Sequence, residues 1–296
     1  MNELMKAAIL AGGFAKRLWP LTKNTAKALL EVAGKHVIDH VVDNLKETSI
    51  DKIYISTNKK FEADFEKWKI KKELESDIEL IVENHTQERK KMGSIGAVAY
   101  LIEQGEIHDD LLIIAGDNIF DFDLNELICT SKKFKGPVIA CFNMQSKKLV
   151  KDTYGVVTVN ENGIITGFEE KPSKPRSTLI STGIYLIPRS DLDLFKEYLD
   201  ENNNPDAFGY FLQWLHTRKP IRAHVFSGMW YDIGSKESLR KADFEIPQRI
   251  KDNLRKYNKG YQIDKIDSKK SFFESCDIYV DSSRVDALKK EKVDEL

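Results

Sequence analysis

The chain has 296 residues, of which 41% are hydrophobic and 31% are charged, so it is long enough to bury one large core or two smaller ones. Its 46 basic and 47 acidic residues leave a formal net charge of −1, which gives no reason to expect a nucleic-acid or membrane-surface partner. The three cysteines, Cys129, Cys141 and Cys276, lie far apart without zinc-binding spacing and suggest a reducing compartment. With no signal-peptide pattern and no membrane span, the chain is expected to be soluble and cytoplasmic.

The first half of the chain alternates short apolar runs with amphipathic stretches. Strands are predicted at residues 7–10, 52–57, 78–82 and 111–115. A helix is predicted over residues 37–47, a charged helix runs to about residue 75, and another helix opens at Gly93. In the first helix, His36, Asp39 and His40 are assigned to the polar face, which accounts for this histidine spacing without a zinc ion. The alternation predicts a sheet with right-handed, helical crossovers.

The pattern changes at Pro137, where strands follow one another with short turns. They are predicted at residues 138–142, 154–159, 164–169, 177–187 and 221–226, with an Asn162-Gly163 hairpin turn and helices near 191–201 and 210–217. The predicted fold is therefore α/β: a Rossmann-like mixed sheet covered by helices, with an antiparallel extension and a C-terminal helical tail. We predict a main domain at residues 1–242 and a mostly helical extension at 243–296.

A glycine loop after the first strand is the strongest candidate site. The strand runs into Leu10-Ala11-Gly12-Gly13, where missing side chains would let backbone N–H groups approach a ligand closely. Arg17 and Lys27 add two cations beside that backbone. Such a corner suits a polyphosphate, although a glycine turn with solvated basic residues has the same local appearance.

Two aspartates are candidate metal ligands. Asp117 follows the buried strand at 111–115, at the carboxyl end where open α/β sheets bind ligands, and Asp232 lies in the segment Trp230-Tyr-Asp-Ile-Gly234. One Mg²⁺ held by two carboxylates also accepts phosphate oxygens. A turn or helix cap is the alternative role for each aspartate.

These segments resemble the sugar-1-phosphate nucleotidylyltransferase family. The resemblance rests on Gly-Gly-x-x-x-Arg-Leu-x-Pro-Leu-Thr, Lys-Ala-Leu-Leu, Gly-Asp-Asn-Ile-Phe, Tyr-Gly-Val-Val and Thr-Gly-Ile-Tyr, which look most like the glucose-1-phosphate thymidylyltransferase branch, and it covers roughly residues 6–242. It implies three catalytic residues, Arg17, Lys27 and Lys171. It implies the nucleotide-binding residues Leu10, Ala11, Gly12, Gly13, Glu88, Gly93 and Asp117. It implies the sugar-phosphate-binding residues Tyr154, Gly155, Glu170, Lys171 and Ser181, and the metal ligands Asp117 and Asp232.

Two departures from the family pattern concern the glycine loop and the base. Ala26, Glu31 and His36 stand where prolines are expected, which would loosen the loop. A Glu88-containing segment replaces the expected Gln-Pro, with Gln87 one residue away. A glutamine pairs with thymine or uracil, whereas a glutamate suits the N–H edge of guanine.

The expected activity is Mg²⁺-dependent nucleotidylyl transfer from a nucleoside triphosphate, dTTP or UTP favoured, to glucose 1-phosphate. The alternatives are a GTP-dependent mannose-1-phosphate guanylyltransferase and a non-catalytic sugar-nucleotide sensor or scaffold. A dinucleotide-dependent oxidoreductase is disfavoured because the loop is not Gly-x-Gly-x-x-Gly. The residues leave open whether the protein forms a homo-oligomer.

Overall fold

The computed structural model describes residues 4–87 and 91–258. Its strands are β1 (Met5–Leu10), β2 (Glu31–Val32), β3 (Lys35–His36), β4 (Lys52–Asn58), β5 (Ile78–Glu83), β6 (Asp110–Ala115), β7 (Asn118–Phe120), β8 (Val138–Asn143), β9 (Gly155–Val159), β10 (Ile165–Glu170), β11 (Leu179–Ile187), β12 (Arg222–Phe226) and β13 (Trp230–Asp232). Its helices are α1 (Val37–Lys46), α2 (Glu62–Lys71), α3 (Gly93–Gln104), α4 (Leu124–Phe134), α5 (Lys147–Val150), α6 (Leu194–Asp200), α7 (Phe208–Leu215) and α8 (Lys236–Asn258).

A mixed sheet forms the centre of the molecule, in the order β10-β9-β11-β6-β1-β4-β5, with β8 beside β11 and β12 beside β8. Strands β6, β1, β4 and β5 are parallel, and β11 joins β6 in the antiparallel direction. The predicted mixed α/β sheet is thereby confirmed. The Asn162-Gly163 segment does connect the antiparallel strands β9 and β10.

Both faces of the sheet are covered, which explains why β1 is a continuous apolar run. Ala7 and Ile9 pack into one hydrophobic cluster with α1 and α2, whereas Ala8 packs into a second cluster on the opposite face with α3 and α7. Alternate side chains of one strand therefore enter different cores. Among the described residues, no helix is long and apolar enough to cross a membrane.

Two differences from the sequence-based prediction concern helices. Asp39, assigned to a polar helix face, is buried: it accepts hydrogen bonds from Trp68 Nε1 and the His36 backbone and pairs with Lys72. Helix α4 lies where no element was predicted, and its N-terminus is capped by the Asp123 carboxylate, which accepts from the Asn125 backbone N–H.

Helix α8 crosses the predicted boundary between residues 242 and 243. Ala242 and Ile246 on this helix are buried in a cluster with Val32, Val37 and Ile233. The division of the chain at this position stays a prediction, and the tail predicted beyond residue 258 lies outside the described residues.

Candidate active site

The candidate site lies at β1, where the chain places the next parallel strands on opposite sides and the strand order reverses. β1 is flanked by β4 on one side and β6 on the other, so the crevice at their carboxyl ends is a topological switch point, the usual ligand position in open α/β sheets. Backbone hydrogen bonds hold the crevice together: Ala11 N donates to Ser56 O at 2.8 Å, and Gly116 N donates to Leu10 O at 2.9 Å. Leu10 and Ala11 therefore lie directly beside the turn that carries Asp117.

The two glycines of the loop lack a side chain for different reasons, which the sequence did not reveal. A Cβ on Gly12 would come within 2.9 Å of the Oε1 of Glu83, whereas a Cβ on Gly13 would meet no atom within 4 Å. The Glu83 carboxylate is buried, accepts from Ser56 Oγ and contacts His85 Nε2 at 2.8 Å. Gly12 is thus needed for contact with the protein interior, and Gly13 is the glycine with open space for a ligand.

The two predicted metal ligands converge because β7 and β13 pair. Asp232 is the register partner of Asn118, and Ile233 N donates to Asp117 O at 2.9 Å. The Lys27 ammonium lies between the carboxylates, 2.5 Å from Asp117 Oδ2 and 3.8 Å from Asp232 Oδ1. Residues that are up to 205 positions apart in the chain thereby form one charged cluster.

The protonation of Asp232 reflects this crowding. Desolvation, and after it the charge of Asp117, raise the pKa of Asp232 from 3.8 to about 6. The positive charges of Lys27, Arg17 and Lys171 lower it and only partly offset the rise. The opposing charges also show that Arg17, an exposed residue in the turn at Lys16–Leu18, lies within electrostatic reach of the cluster. A carboxylate that is costly to ionise beside a second carboxylate is a favourable place for a cation.

A cavity of about 200 Å³ extends from the cluster towards the antiparallel part of the sheet. It brings together seven residues that the sequence analysis assigned to this site, namely Asp117, Tyr154, Gly155, Glu170, Lys171, Ser181 and Asp232. Burial, and after it the charge of Asp232, raise the pKa of Tyr154 to about 12, so this phenol stays neutral. The cavity therefore has an acidic end at the aspartates and mixed polar walls.

Lys171 and Glu170 also line the cavity. β10 ends at Glu170, and Lys171 has a left-handed backbone (φ +46°) whose N–H donates to Tyr154 O at 3.2 Å. The Lys171 ammonium lies 3.4 Å from Glu170 Oε1 and keeps 53% of its side chain exposed. A non-glycine residue in this conformation is strained, and such strain is concentrated at functional sites. The pair offers a cation and a carboxylate to the same ligand.

Several lining residues had no assigned role in the sequence analysis. Asn118 is buried and accepts a hydrogen bond from Trp230 Nε1 at 2.9 Å, which ties β7 to β13 next to the aspartates. Tyr185 stacks on Phe208 with ring centroids 4.0 Å apart. Asn118 and Trp230 stand inside motifs quoted above and could have been found there. Phe208 belongs to α7, and its sequence carries no such signal.

Gly93, a predicted nucleotide-binding residue, is not among the residues that line the cavity. Gly93 starts α3 with φ +77°, and a Cβ there would come within 2.3 Å of Pro205 O, so its glycine is required by packing. The first free N–H groups of α3, on Ser94 and Ile95, donate to the carbonyls of Asp206 and Pro205. Glu88 lies outside the described residues.

The two aspartate carboxylates suit a hard divalent cation that also binds oxygen atoms of a substrate. In residues 4–87 and 91–258, no cluster of three or more His, Cys, Asp or Glu side chains is placed to hold a metal ion. Asp117 and Asp232 would supply two carboxylates, and phosphate oxygens and water would complete the shell, as is usual for Mg²⁺.

Comparison with known proteins gives relatives that act on sugar phosphates. The chain is 27% identical over 279 residues to a glucose-1-phosphate adenylyltransferase from Mycoplasma mobile, covering 87% of this chain and 71% of the relative. It is 27% identical over 275 residues to a Sulfolobus acidocaldarius protein provisionally named mannose-1-phosphate guanyltransferase, covering 91% and 70%. In eight of the curated relatives that it matches, the chain spans between 56% and 71% of the relative's length.

A solved structure and a family model also match this chain. A Bacillus anthracis protein, provisionally named glucose-1-phosphate thymidylyltransferase and solved in complex with sucrose, superposes with a TM-score of 0.70 at 29% identity, covering 81% of this chain and 94% of that one. The family model described as "Nucleotidyl transferase" matches residues 6–249, which include the glycine loop, both aspartates and the Glu170–Lys171 pair. The chain belongs to the nucleotidyl transferase family and is a sugar-1-phosphate nucleotidyltransferase.

Proposed function

We propose that this enzyme transfers a nucleotidyl group from dTTP or UTP to glucose 1-phosphate with Mg²⁺, releasing pyrophosphate. The observation that carries the proposal is that Lys27 reaches Asp117 and Asp232, and that these two aspartates line one cavity together with Lys171 and Glu170. A pair of carboxylates that suits a cation and a lysine in the same cavity match a reaction between two phosphates.

Each substrate has a region of this site with suitable chemistry. The triphosphate would lie along Gly13 with Arg17 and Lys27 near its outer phosphates. The sugar phosphate would take the Lys171 ammonium, and Glu170 would accept hydrogen bonds from sugar hydroxyls. A phosphate oxygen of the sugar 1-phosphate attacks the α-phosphorus of the triphosphate. The bond from that phosphorus to the oxygen that bridges it to the β-phosphorus breaks, and pyrophosphate leaves. The protein's part is to position two anions and stabilise their charge.

The proposed metal ligands are Asp117 and Asp232. Bound Mg²⁺ would neutralise negative charge on the phosphates. A cation bound next to Asp232 would favour its ionised form and so offset the desolvation that raises its pKa. The Trp230–Asn118 hydrogen bond keeps the strand of Asp232 in register with the segment that carries Asp117.

The base and the sugar are the finer part of the proposal. The motifs at 116–120, 154–157 and 182–185 and the Bacillus anthracis structure support thymidylyl transfer. The runner-up is GTP with mannose 1-phosphate, which Glu88 and the Sulfolobus acidocaldarius relative favour. The Mycoplasma mobile relative makes ATP a necessary member of any substrate panel.

Initial rates of pyrophosphate release test the proposal. The panel combines dTTP, UTP, GTP, CTP and ATP with glucose and mannose 1-phosphates, with and without Mg²⁺. The highest kcat/KM is expected for dTTP or UTP with glucose 1-phosphate; a tenfold preference for GTP, about 1.4 kcal/mol, would contradict the pyrimidine assignment. Calorimetric binding of the product without any release of pyrophosphate would instead indicate a non-catalytic binder.

A further inference from the structure

The position of Lys27 suggests a role beyond phosphate binding. Its ammonium contacts Asp117 and approaches Asp232, and only 16% of its side chain is exposed. The lysine opens the short turn Lys27–Leu29, in which Ala28 and Leu29 are buried, so its backbone is held in place by the core. The cation is therefore tethered at the two carboxylates.

These carboxylate oxygens are the ones that a divalent metal would use. Magnesium requires direct contact with its oxygen ligands and an ordered octahedral shell. An ammonium group in hydrogen-bond contact with Asp117 Oδ2 occupies one of these ligand positions and repels a second cation at the same distance. The Lys27 ammonium and a metal therefore compete for Asp117 Oδ2, because two cations on one carboxylate oxygen repel each other.

We propose that Lys27 is a built-in competitor of the divalent metal, which keeps the aspartate pair closed until a phosphate draws the ammonium away. The inference rests on the proposed function only in assigning the two aspartates to a metal. It adds that metal binding and triphosphate binding are coupled, because both depend on the position of the Lys27 side chain. Because coupling is reciprocal, whatever withdraws Lys27 from Asp117 raises the affinity of the pair for metal.

The test measures Mn²⁺ binding to the protein without substrates. The electron paramagnetic resonance signal of free Mn²⁺ reports how much of the metal is bound. Lys27→Met, which keeps the length of the side chain and removes its charge, is expected to bind Mn²⁺ at least tenfold more tightly than the wild type. Adding Asp117→Asn to this variant is expected to abolish the gain. The matched control is Lys35→Met, because Lys35 also pairs with an aspartate, Asp43, at 3.0 Å, but on the exposed surface.

The direction of the change separates competition from a structural role. A lysine needed only for folding or for the shape of the site would lower both metal affinity and turnover when it is replaced. Competition predicts that Lys27→Met gains metal affinity while its turnover falls. Lys27→Gln provides the same comparison if the methionine variant does not give a native circular dichroism spectrum.

Equal or weaker Mn²⁺ binding by the folded Lys27 variant would overturn the inference, and so would undetectable binding by both proteins. If the wild type releases pyrophosphate but Lys27→Met gains no affinity, this inference fails and the proposed function stands. If Lys27→Met binds Mn²⁺ more tightly but no substrate pair releases pyrophosphate, the competition stands and the proposed function fails.

Discussion

Replacing Asp232 by asparagine should stabilise the protein at neutral pH while it removes a metal ligand. The pKa of Asp232 is raised from 3.8 to about 6 by desolvation and by Asp117. A group with a raised folded-state pKa contributes its full stability only below its unfolded pKa and loses it as the pH rises through its folded pKa. Above pH 6, the ionised Asp232 therefore lowers the free energy of unfolding.

The size of this effect follows from the pKa. A shift of about two units corresponds to about 3 kcal/mol as an upper limit. Because 32% of the Asp232 side chain is exposed, solvent screening reduces the expected gain to about 1 kcal/mol. For a chain of this size, that gain raises the melting temperature by about 2–4 °C.

Thermal unfolding in EDTA at pH 7.5 and pH 5.0 measures the effect. The gain for Asp232→Asn at pH 5.0 should be about half of that at pH 7.5, because the folded wild type is then mostly protonated at this position. Asp43→Asn, which removes an exposed carboxylate from α1, is the control and should change stability by less than about 0.5 kcal/mol at either pH. A melting temperature of Asp232→Asn at or below that of the wild type at pH 7.5 would show that the ionised Asp232 does not destabilise the fold.

Three further outcomes are expected. Lys171→Ala should raise the KM for the sugar 1-phosphate more than the KM for the triphosphate, because Lys171 lines the cavity beside Glu170, the proposed acceptor of sugar hydroxyls. Steady-state kinetics with each substrate varied in turn checks this, and the opposite order would move Lys171 to the triphosphate region. Gly12→Ala should lower the melting temperature because its Cβ would press on Glu83. Gly13→Ala should leave the melting temperature unchanged and raise the KM for the triphosphate. Equal melting temperatures for the two variants would contradict the close approach of Gly12 to Glu83. Chelation of Mg²⁺ should stop pyrophosphate release and added Mg²⁺ should restore it; release that continues in EDTA would remove the metal from the mechanism.

Local patterns were sufficient for most of the fold. The apolar run of β6 and the 3.6-residue spacing of α1 depend on neighbours in the sequence, and both elements are found as predicted. Helix α4 also carries a local signal, since Asp123 caps it and Leu124, Leu127 and Ile128 share a buried face. Its absence from the prediction is a missed pattern and has no deeper physical cause.

Other features depend on contacts between distant residues, which no local pattern contains. Asp39 is buried because Trp68 on α2 and Lys72, the residue after α2, satisfy its carboxylate. The close approach of Gly12 to Glu83 joins the loop after β1 to the last residue of β5. The motifs indicated which residues belong to the site, whereas the insertion of Lys27 between the aspartates required the three-dimensional arrangement.

The stoichiometry of the products tests the proposed reaction most directly. It is measured by mass spectrometry for the wild type and for Asp117→Asn, with both substrates present and with the sugar phosphate omitted. The wild type should form nucleoside-diphosphate sugar and pyrophosphate in equal amounts, and neither when the sugar phosphate is omitted. Asp117→Asn should keep its fold and lose roughly a hundredfold or more in turnover, the scale expected for one electrostatic stabiliser. Pyrophosphate release without sugar phosphate, or an unchanged rate in Asp117→Asn, would contradict the proposed reaction.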